Sequence, residues 1–150
     1  MKKVALVCSS GGHLTQLLIL RDFWADKARF WVTFDKIDAV SQLQGEVFYP
    51  CFHPTNRNIK NLLRNCGLAI KLLWKERPSM IVSSGAAIAV PFFYFGKLFG
   101  ARTVYIEVYD RIDGPTLTGK LIYPVTDDFY VQWEEQRQYY PKAILVGELL

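Results

Sequence analysis

Apolar positions along the chain fall in short bursts, and the bursts alternate between two rhythms. The segments "KKVALVCSS" (2–10), "RFWVTF" (29–34), "EVFYP" (46–50), "MIVSSG" (80–85), "RTVYIEV" (102–108), "DFYVQW" (128–133) and "AILVGEL" (143–149) are short apolar runs. They are rich in β-branched and aromatic residues, which predicts strands. Between them lie stretches at helical spacing. "HLTQLLILRDFWAD" (13–26) places Leu14, Leu17, Leu18, Leu20 and Trp24 at that spacing. "NIKNLLRNCGLAIKLLWKER" (58–77) is a long amphipathic helix stopped by Pro78. "AAIAVPFFYFGKLFG" (86–100) predicts a buried helix with Pro91 near its start, and "TLTGKLIYPV" (116–125) a further helix. Strands that read as continuous apolar runs are buried on both faces. Their alternation with helices predicts a doubly wound, mostly parallel α/β sheet of the Rossmann-like kind.

The chain has 150 residues, 51% of them hydrophobic, which excludes disorder and suffices for one core. No linker or repeat divides it, so residues 1–150 are expected to form one domain. Cys8, Cys51 and Cys66 show no CxxC spacing, so neither a disulfide framework nor a zinc site is expected, and a reducing compartment is. The apolar run after Lys2 and Lys3 is too short for a signal peptide, and no stretch reaches transmembrane length.

Within such a sheet, ligands bind where strands run into helices at their carboxyl ends. The first such loop is Ser9-Ser10-Gly11-Gly12-His13. Glycines permit tight turning and close approach, and a following helix N-terminus favours an anion. His13 at that terminus is a candidate base or hydrogen-bond partner. A tight turn with a capping histidine accounts for the same residues. A second loop carries Ser83, Ser84 and Gly85 into Ala86 and Ala87, and reads either as part of one crevice or as close helix–sheet packing. A third carries Glu107, Asp110, Arg111 and Asp113, able to orient a hydroxyl or act as a base, or else forming a solvated turn.

Charge singles out the long helix. Residues 57–77 hold six bases and one acid, more than the whole net charge of +4. With Lys60 at zero, Arg64, Lys71 and Lys75 fall within about 60° of it, as does Arg57 if helical. Ile59, Leu63, Cys66, Ile70, Leu73 and Trp74 occupy the opposite side. A basic amphipathic helix reads as contact with an anionic membrane surface, or as the ordinary exposed face of a helix packed on the sheet. The aromatic run Phe92-Phe93-Tyr94-Phe95 fits either that surface or the core. No nucleic-acid reading motif accompanies the charge, so no nucleic-acid partner is expected.

Three segments carry a resemblance: "SSGGHLTQL", "SSGAAIAVP" and, above all, "YIEVYDRIDGPTLTGKLIYPVTDDFYVQWEEQRQYYPKAILVGELL". They resemble the membrane-associated subunit of the two-part N-acetylglucosaminyltransferase that adds the second sugar of lipid-linked N-glycans. They are similar as well to that subunit's bacterial relatives in capsule and exopolysaccharide synthesis, the enhancer subunits of galactosyl- and glucuronosyltransferases. A more distant likeness is to the N-terminal half of the peptidoglycan lipid-linked N-acetylglucosaminyltransferase, whose longer glycine loop also ends in Gly-Gly-His.

The resemblance implies the N-terminal half of a GT-B glycosyltransferase split over two chains, active only with its partner. A catalytic partner subunit would bind the nucleotide sugar, typically a UDP-sugar, and the second domain would begin near residue 150. This chain would bind the polyprenyl-diphosphate-linked saccharide acceptor, peripherally, on the cytoplasmic face of the cell membrane. His13 and Glu107 are then the expected catalytic residues. Ser10, Gly11, Gly12, Ser84, Gly85 and Asp110 are the expected acceptor or phosphate ligands. Arg57, Lys60, Arg64, Lys71 and Lys75 would meet the membrane in place of the transmembrane anchor found in eukaryotic members. No cofactor is expected, and no Asp-x-Asp triplet suggests a metal. The alternatives are a non-catalytic membrane scaffold that recruits and activates the transferase and, further off, a free-standing flavodoxin-like nucleotide module.

Overall fold

Seven parallel strands form one sheet in the order β3-β2-β1-β4-β5-β6-β7. The computed structural model describes residues 2–108 and 114–147. The strands are β1 (Lys3–Cys8), β2 (Ala28–Thr33), β3 (Phe48–Pro50), β4 (Met80–Gly85), β5 (Arg102–Ile106), β6 (Asp128–Val131) and β7 (Ile144–Leu145). The helices are α1 (Gly12–Ile19), α2 (Arg21–Trp24), α3 (Ile37–Gln42), α4 (Ile59–Glu76), α5 (Ala89–Leu98) and α6 (Leu117–Ile122). The expected doubly wound α/β sheet is therefore present, and its order reverses between β1 and β4. The predicted first helix is broken at Leu20 into α1 and α2, and α3 joins them on the same face.

Successive side chains of a strand point to opposite faces, and here both faces are buried. Ala5, Val7, Phe30, Val32 and Ile81 pack toward α4 and α5, with Leu72, Leu73, Phe92 and Phe93. Val4, Leu6, Trp31 and Val82 pack toward α1, α2 and α3, with Leu14, Leu17 and Trp24. Gly96 lets α5 lie close on β4, since a Cβ there would stand 2.2 Å from Ile81 Cδ1. Phe92 and Phe93 are core residues, so that part of the aromatic run belongs to the interior and not to an outer surface. Two polar anchors tie the edge strand: Arg29 donates to both Glu46 oxygens at 2.8 and 2.6 Å, and the Trp31 indole donates to the same carboxylate at 2.9 Å.

Helix α4 is bounded as its sequence requires. The Asn58 side chain caps its start by accepting the Asn61 N–H at 2.9 Å, and Arg77 ends it in the left-handed region just before Pro78. Arg57 precedes the helix, in the left-handed region, and so does not extend its cation stripe in register. The face turned to the protein also differs from the one hydropathy suggests. Asn61, Asn65, Ala69, Leu72 and Leu73 are buried, whereas Ile59 is 74%, Leu63 66%, Ile70 43% and Trp74 65% exposed. The reason lies in the chain before α4. Asn65 Oδ1 accepts the Phe52 N–H at 2.9 Å and Asn65 Nδ2 donates to the Phe52 carbonyl at 3.0 Å, while Asn61 Nδ2 donates to the Pro54 carbonyl at 2.8 Å. Backbone groups drawn out of water need partners, and these two amides supply them for the segment before α4. Among the described residues no helix is long and apolar enough to cross a membrane.

Candidate functional site

The loops leaving β1 and β4 meet at the point where strand order reverses, the usual seat of a ligand in an open α/β sheet. Ser9 N–H donates to the Gly85 carbonyl at 3.1 Å, which fixes the two loops against each other. The Ser84 hydroxyl donates to the His13 carbonyl at 2.5 Å, and His13 Nδ1 lies 2.8 Å from the Ser84 carbonyl. A carbonyl only accepts, so Nδ1 carries the hydrogen and Nε2 is left as the ring's base nitrogen. Gly85 is required beneath the ring. Its φ is +118°, and a Cβ there would stand 2.7 Å from the imidazole.

A pocket of about 330 Å³ opens beside this pair, lined by Ser9, His13, Phe34, Lys36, His53, Pro54, Thr55, Asn56 and Ala86. Its residues come from the carboxyl ends of β1, β2, β3 and β4. His53 Nε2 donates to Asp35 Oδ1 at 2.8 Å, and its ring rests 5.0 Å from that of Phe34. Lys36 Nζ sits 5.7 Å from the Phe34 ring centre. Sequence reading missed Lys36 and His53. The available signal was that His53 is the chain's second and last histidine and lies three residues past a strand at the sheet's binding edge.

The expected ligand residues divide. His13 lines the pocket. Ser84 is fully buried, with hydroxyl and carbonyl both engaged by His13, so it positions the histidine and presents no open hydroxyl. Gly85 is likewise buried under the ring. Ser10 is half-buried, and Gly11 and Gly12 are exposed. Gly11, at φ +80°, does not hold out a free N–H: it donates to Asp38 Oδ2 at 2.9 Å. Asp110 lies outside the described residues. Cys8, at the end of β1, is no nucleophile, since burial pushes its thiol up; Cys51 is pushed up to about 12 by the same cause.

Glu107 is 0% exposed and stands apart from the residues lining the His13 pocket, which is a departure from the expected open catalytic carboxylate. Tyr140 Oη donates to it at 2.7 Å, Thr116 Oγ1 at 3.0 Å, Val108 N–H at 3.1 Å and Thr116 N–H at 3.2 Å. Thr116 is also the cap of α6, accepting the Gly119 N–H at 2.9 Å. The carboxylate therefore ties β5 to α6 and to the segment after β6. Burial, and then the Glu107 charge, push the Tyr140 phenol up.

On the outer side of the sheet's helical layer, α4 presents two adjoining exposed stripes. Lys60, Arg64, Lys71 and Lys75 form one, and Ile59, Leu63, Ile70 and Trp74 form the next. Arg64 lies over Phe52 and Lys75 over Tyr49, which holds these cations along the flank. Trp74 meets Phe99, itself exposed, at 6.4 Å.

The fold matches less than half the length of the solved structures it superposes on. Acinetobacter baumannii MurG superposes with a TM-score of 0.76 at 14% identity, over 99% of this chain and 44% of MurG. The UDP-N-acetylglucosamine 2-epimerase of Rickettsia bellii does so at 0.73 and 16%, over 99% and 43%. These neighbours define the class, a Rossmann-like N-terminal domain of the GT-B glycosyltransferase and epimerase type. Residues 52–149 match the family described as "Oligosaccharide biosynthesis protein Alg14 like", and the chain belongs to that family. The UDP-N-acetylglucosamine transferase subunit ALG14 of Yarrowia lipolytica is 34% identical over 89 residues, which are 55% of this chain and 41% of that protein. The human ALG14 subunit is 22% identical over 98% of this chain and 82% of its own length. The chain thus spans less than half of the Yarrowia relative.

Proposed function

We propose that the chain is the acceptor-side, membrane-docking subunit of a two-chain glycosyltransferase acting on a lipid-linked saccharide. The observation that carries this reading is the fixed pair of loops at the β1–β4 reversal, which leaves His13 Nε2 as a base on the edge of a small-ligand pocket. A partner chain binds the nucleotide sugar, and the names of the relatives favour UDP-N-acetylglucosamine as the donor. His13 takes the proton of the acceptor hydroxyl as that oxygen bonds to the sugar's anomeric carbon. The bond from that carbon to the donor's phosphate oxygen breaks, and the nucleoside diphosphate leaves on the partner's side.

Docking rests on α4. Its exposed apolar row enters the acyl boundary while the adjoining cations meet anionic headgroups. In this reading the chain sits peripherally, on the cytoplasmic face of the membrane. The capsular or exopolysaccharide setting expected from sequence has no support among the relatives named above, so the reading stops at lipid-linked oligosaccharide assembly.

A second reading, a recruiting scaffold without catalytic groups, is favoured by the enclosure of Glu107, which removes one of two candidate bases from the cleft. The deciding experiment is transfer from UDP-N-acetylglucosamine to a lipid-diphosphate saccharide by the chain reconstituted with its partner on vesicles. Product formed only with both chains supports the subunit reading. Equal product from the partner alone overturns it.

A further inference from the structure

Resting on the acceptor-side reading, we infer that the pocket beside His13 is the subsite for the acceptor's diphosphate, held by the side chains of Lys36 and Asn56 with His53 in its wall. In the glycine loop, where sequence reading put the phosphates, Gly11 is already committed. Gly11 N–H donates to the Asp38 carboxylate at 2.9 Å, and a phosphate brought there would meet a like charge. The neighbouring pocket has the opposite character. Among the described residues lining it none is acidic; Lys36 supplies a cation, Ser9, Thr55 and Asn56 supply hydroxyls and an amide, and the neighbouring Asp35 is engaged by His53. Its volume, about 330 Å³, is that of a small-ligand site.

The groups are held in place. Phe34 is buried and carries His53 at 5.0 Å and Lys36 at 5.7 Å. Asp35 fixes the His53 ring by accepting from Nε2, which leaves Nδ1 as the other ring nitrogen. Among the described residues Lys36 has no carboxylate within ion-pair reach, so its charge is available to a ligand. The loop carrying His53 is gripped by Asn61 and Asn65 of α4. The helix that docks on the bilayer therefore also sets the position of the pocket wall. A diphosphate seated there lies beside His13, as an acceptor sugar attached to it must for its hydroxyl to reach Nε2.

His13 and His53 are the only histidines in the chain, so two sets of imidazole C–H signals report this pocket alone. The test titrates the full chain by NMR with inorganic pyrophosphate, and separately with glycerol 3-phosphate as a mimic of a phospholipid headgroup, at fixed pH and ionic strength. Pyrophosphate is expected to shift both histidines saturably. Lys36→Ala, an exposed substitution, is expected to weaken it about tenfold or more, and glycerol 3-phosphate to bind at least about tenfold more weakly. Unmoved signals at about 10 mM pyrophosphate, equal binding by Lys36→Ala, or equal binding of glycerol 3-phosphate each overturn the assignment. In the reconstituted pair, Lys36→Ala should raise KM for the lipid-diphosphate acceptor with kcat little changed. An unchanged KM overturns the subsite while the transferase reading stands. Absence of transfer by the wild-type pair, with the pyrophosphate response intact, overturns the transferase reading and leaves the anion site.

Discussion

His13 Nδ1 lies 2.8 Å from the carbonyl oxygen of Ser84, seventy-one positions away in the chain. One hydrogen bond thus fixes a tautomer, aims a ring and joins the loops of two neighbouring strands. On the proposed mechanism, His13→Ala removes the proton acceptor. Transfer by the reconstituted pair should fall by about 10²- to 10⁴-fold with assembly and membrane binding intact. A variant that assembles and transfers at the wild-type rate leaves recruitment as the role of this chain.

Gly85→Ala tests the support beneath that ring. The new methyl would stand 2.7 Å from His13, at a φ of +118° that L-residues rarely adopt. Chemical denaturation should show a loss of about 1–3 kcal/mol. The activity loss should exceed what that instability explains, because the histidine is displaced. A variant of unchanged stability and rate would mean that the loops yield freely.

Membrane binding should divide into two separable parts. Replacing Lys60, Arg64, Lys71 and Lys75 with glutamine removes about 1 kcal/mol for each cation, and with it most of the salt-sensitive binding to anionic vesicles. Replacing Leu63 and Trp74 with serine should weaken binding by a factor that salt leaves unchanged. Sedimentation with vesicles at two ionic strengths reads both. Wild-type sedimentation by the serine variant would show that the apolar row does not insert.

Glu107 should behave as a structural tie. Glu107→Gln replaces an acceptor of several hydrogen bonds by a group that must also donate, and should cost about 1–3 kcal/mol in denaturant melts. Gly119→Ala should be as harmful, since its Cβ would stand 2.5 Å from both Glu107 and the Tyr140 hydroxyl. The alkaline limb follows from Tyr140. Its phenol is raised above the usual 10.0, so the stability it contributes is complete below that pH. It is lost as pH climbs from there toward the folded value, because the unfolded chain gives up the proton first. Tyr140→Phe should flatten that limb.

Acid should loosen the β2–β3 edge. Arg29, with help from Trp31, holds the Glu46 carboxyl below its usual 4.5. Lys3 and then Tyr49 do the same for Glu76. A lowered folded value means stability that is complete above 4.5 and disappears as pH falls through the folded value. Glu46→Gln should therefore melt lower than the wild type at pH 7, by about 1–3 kcal/mol, and approach it near pH 3. A gap that persists undiminished in acid would mean the loss is one of packing.

The strands were legible because a sheet buried on both faces needs continuous apolar runs, and "VALVC" and "MIVSSG" have little else to be. Short elements were not. Helix α3 buries only Ala39, so its six residues carry no period to read. The same limit split the site. His13 and Ser84 sit at strand ends where any reader of α/β sheets looks, but Lys36 and His53 join them only through a pocket assembled from four strands. Helix α4 shows a different failure. Its apolar side was plain, but hydropathy cannot report that the chain before it needs Asn61 and Asn65 as partners. Those two amides face inward with Leu72 and Leu73, which leaves Ile59, Leu63, Ile70 and Trp74 outside.

That outward row has a consequence for handling the protein. Ile59, Leu63, Ile70, Trp74 and Phe99 make an adhesive strip on the surface. Away from lipid, the strips of two copies can cover one another, and the cations beside them repel only while salt is low. Raising the salt in a purification, the usual remedy for a sticky basic protein, should here drive clumping. Mild detergent at low ionic strength should keep the chain monodisperse.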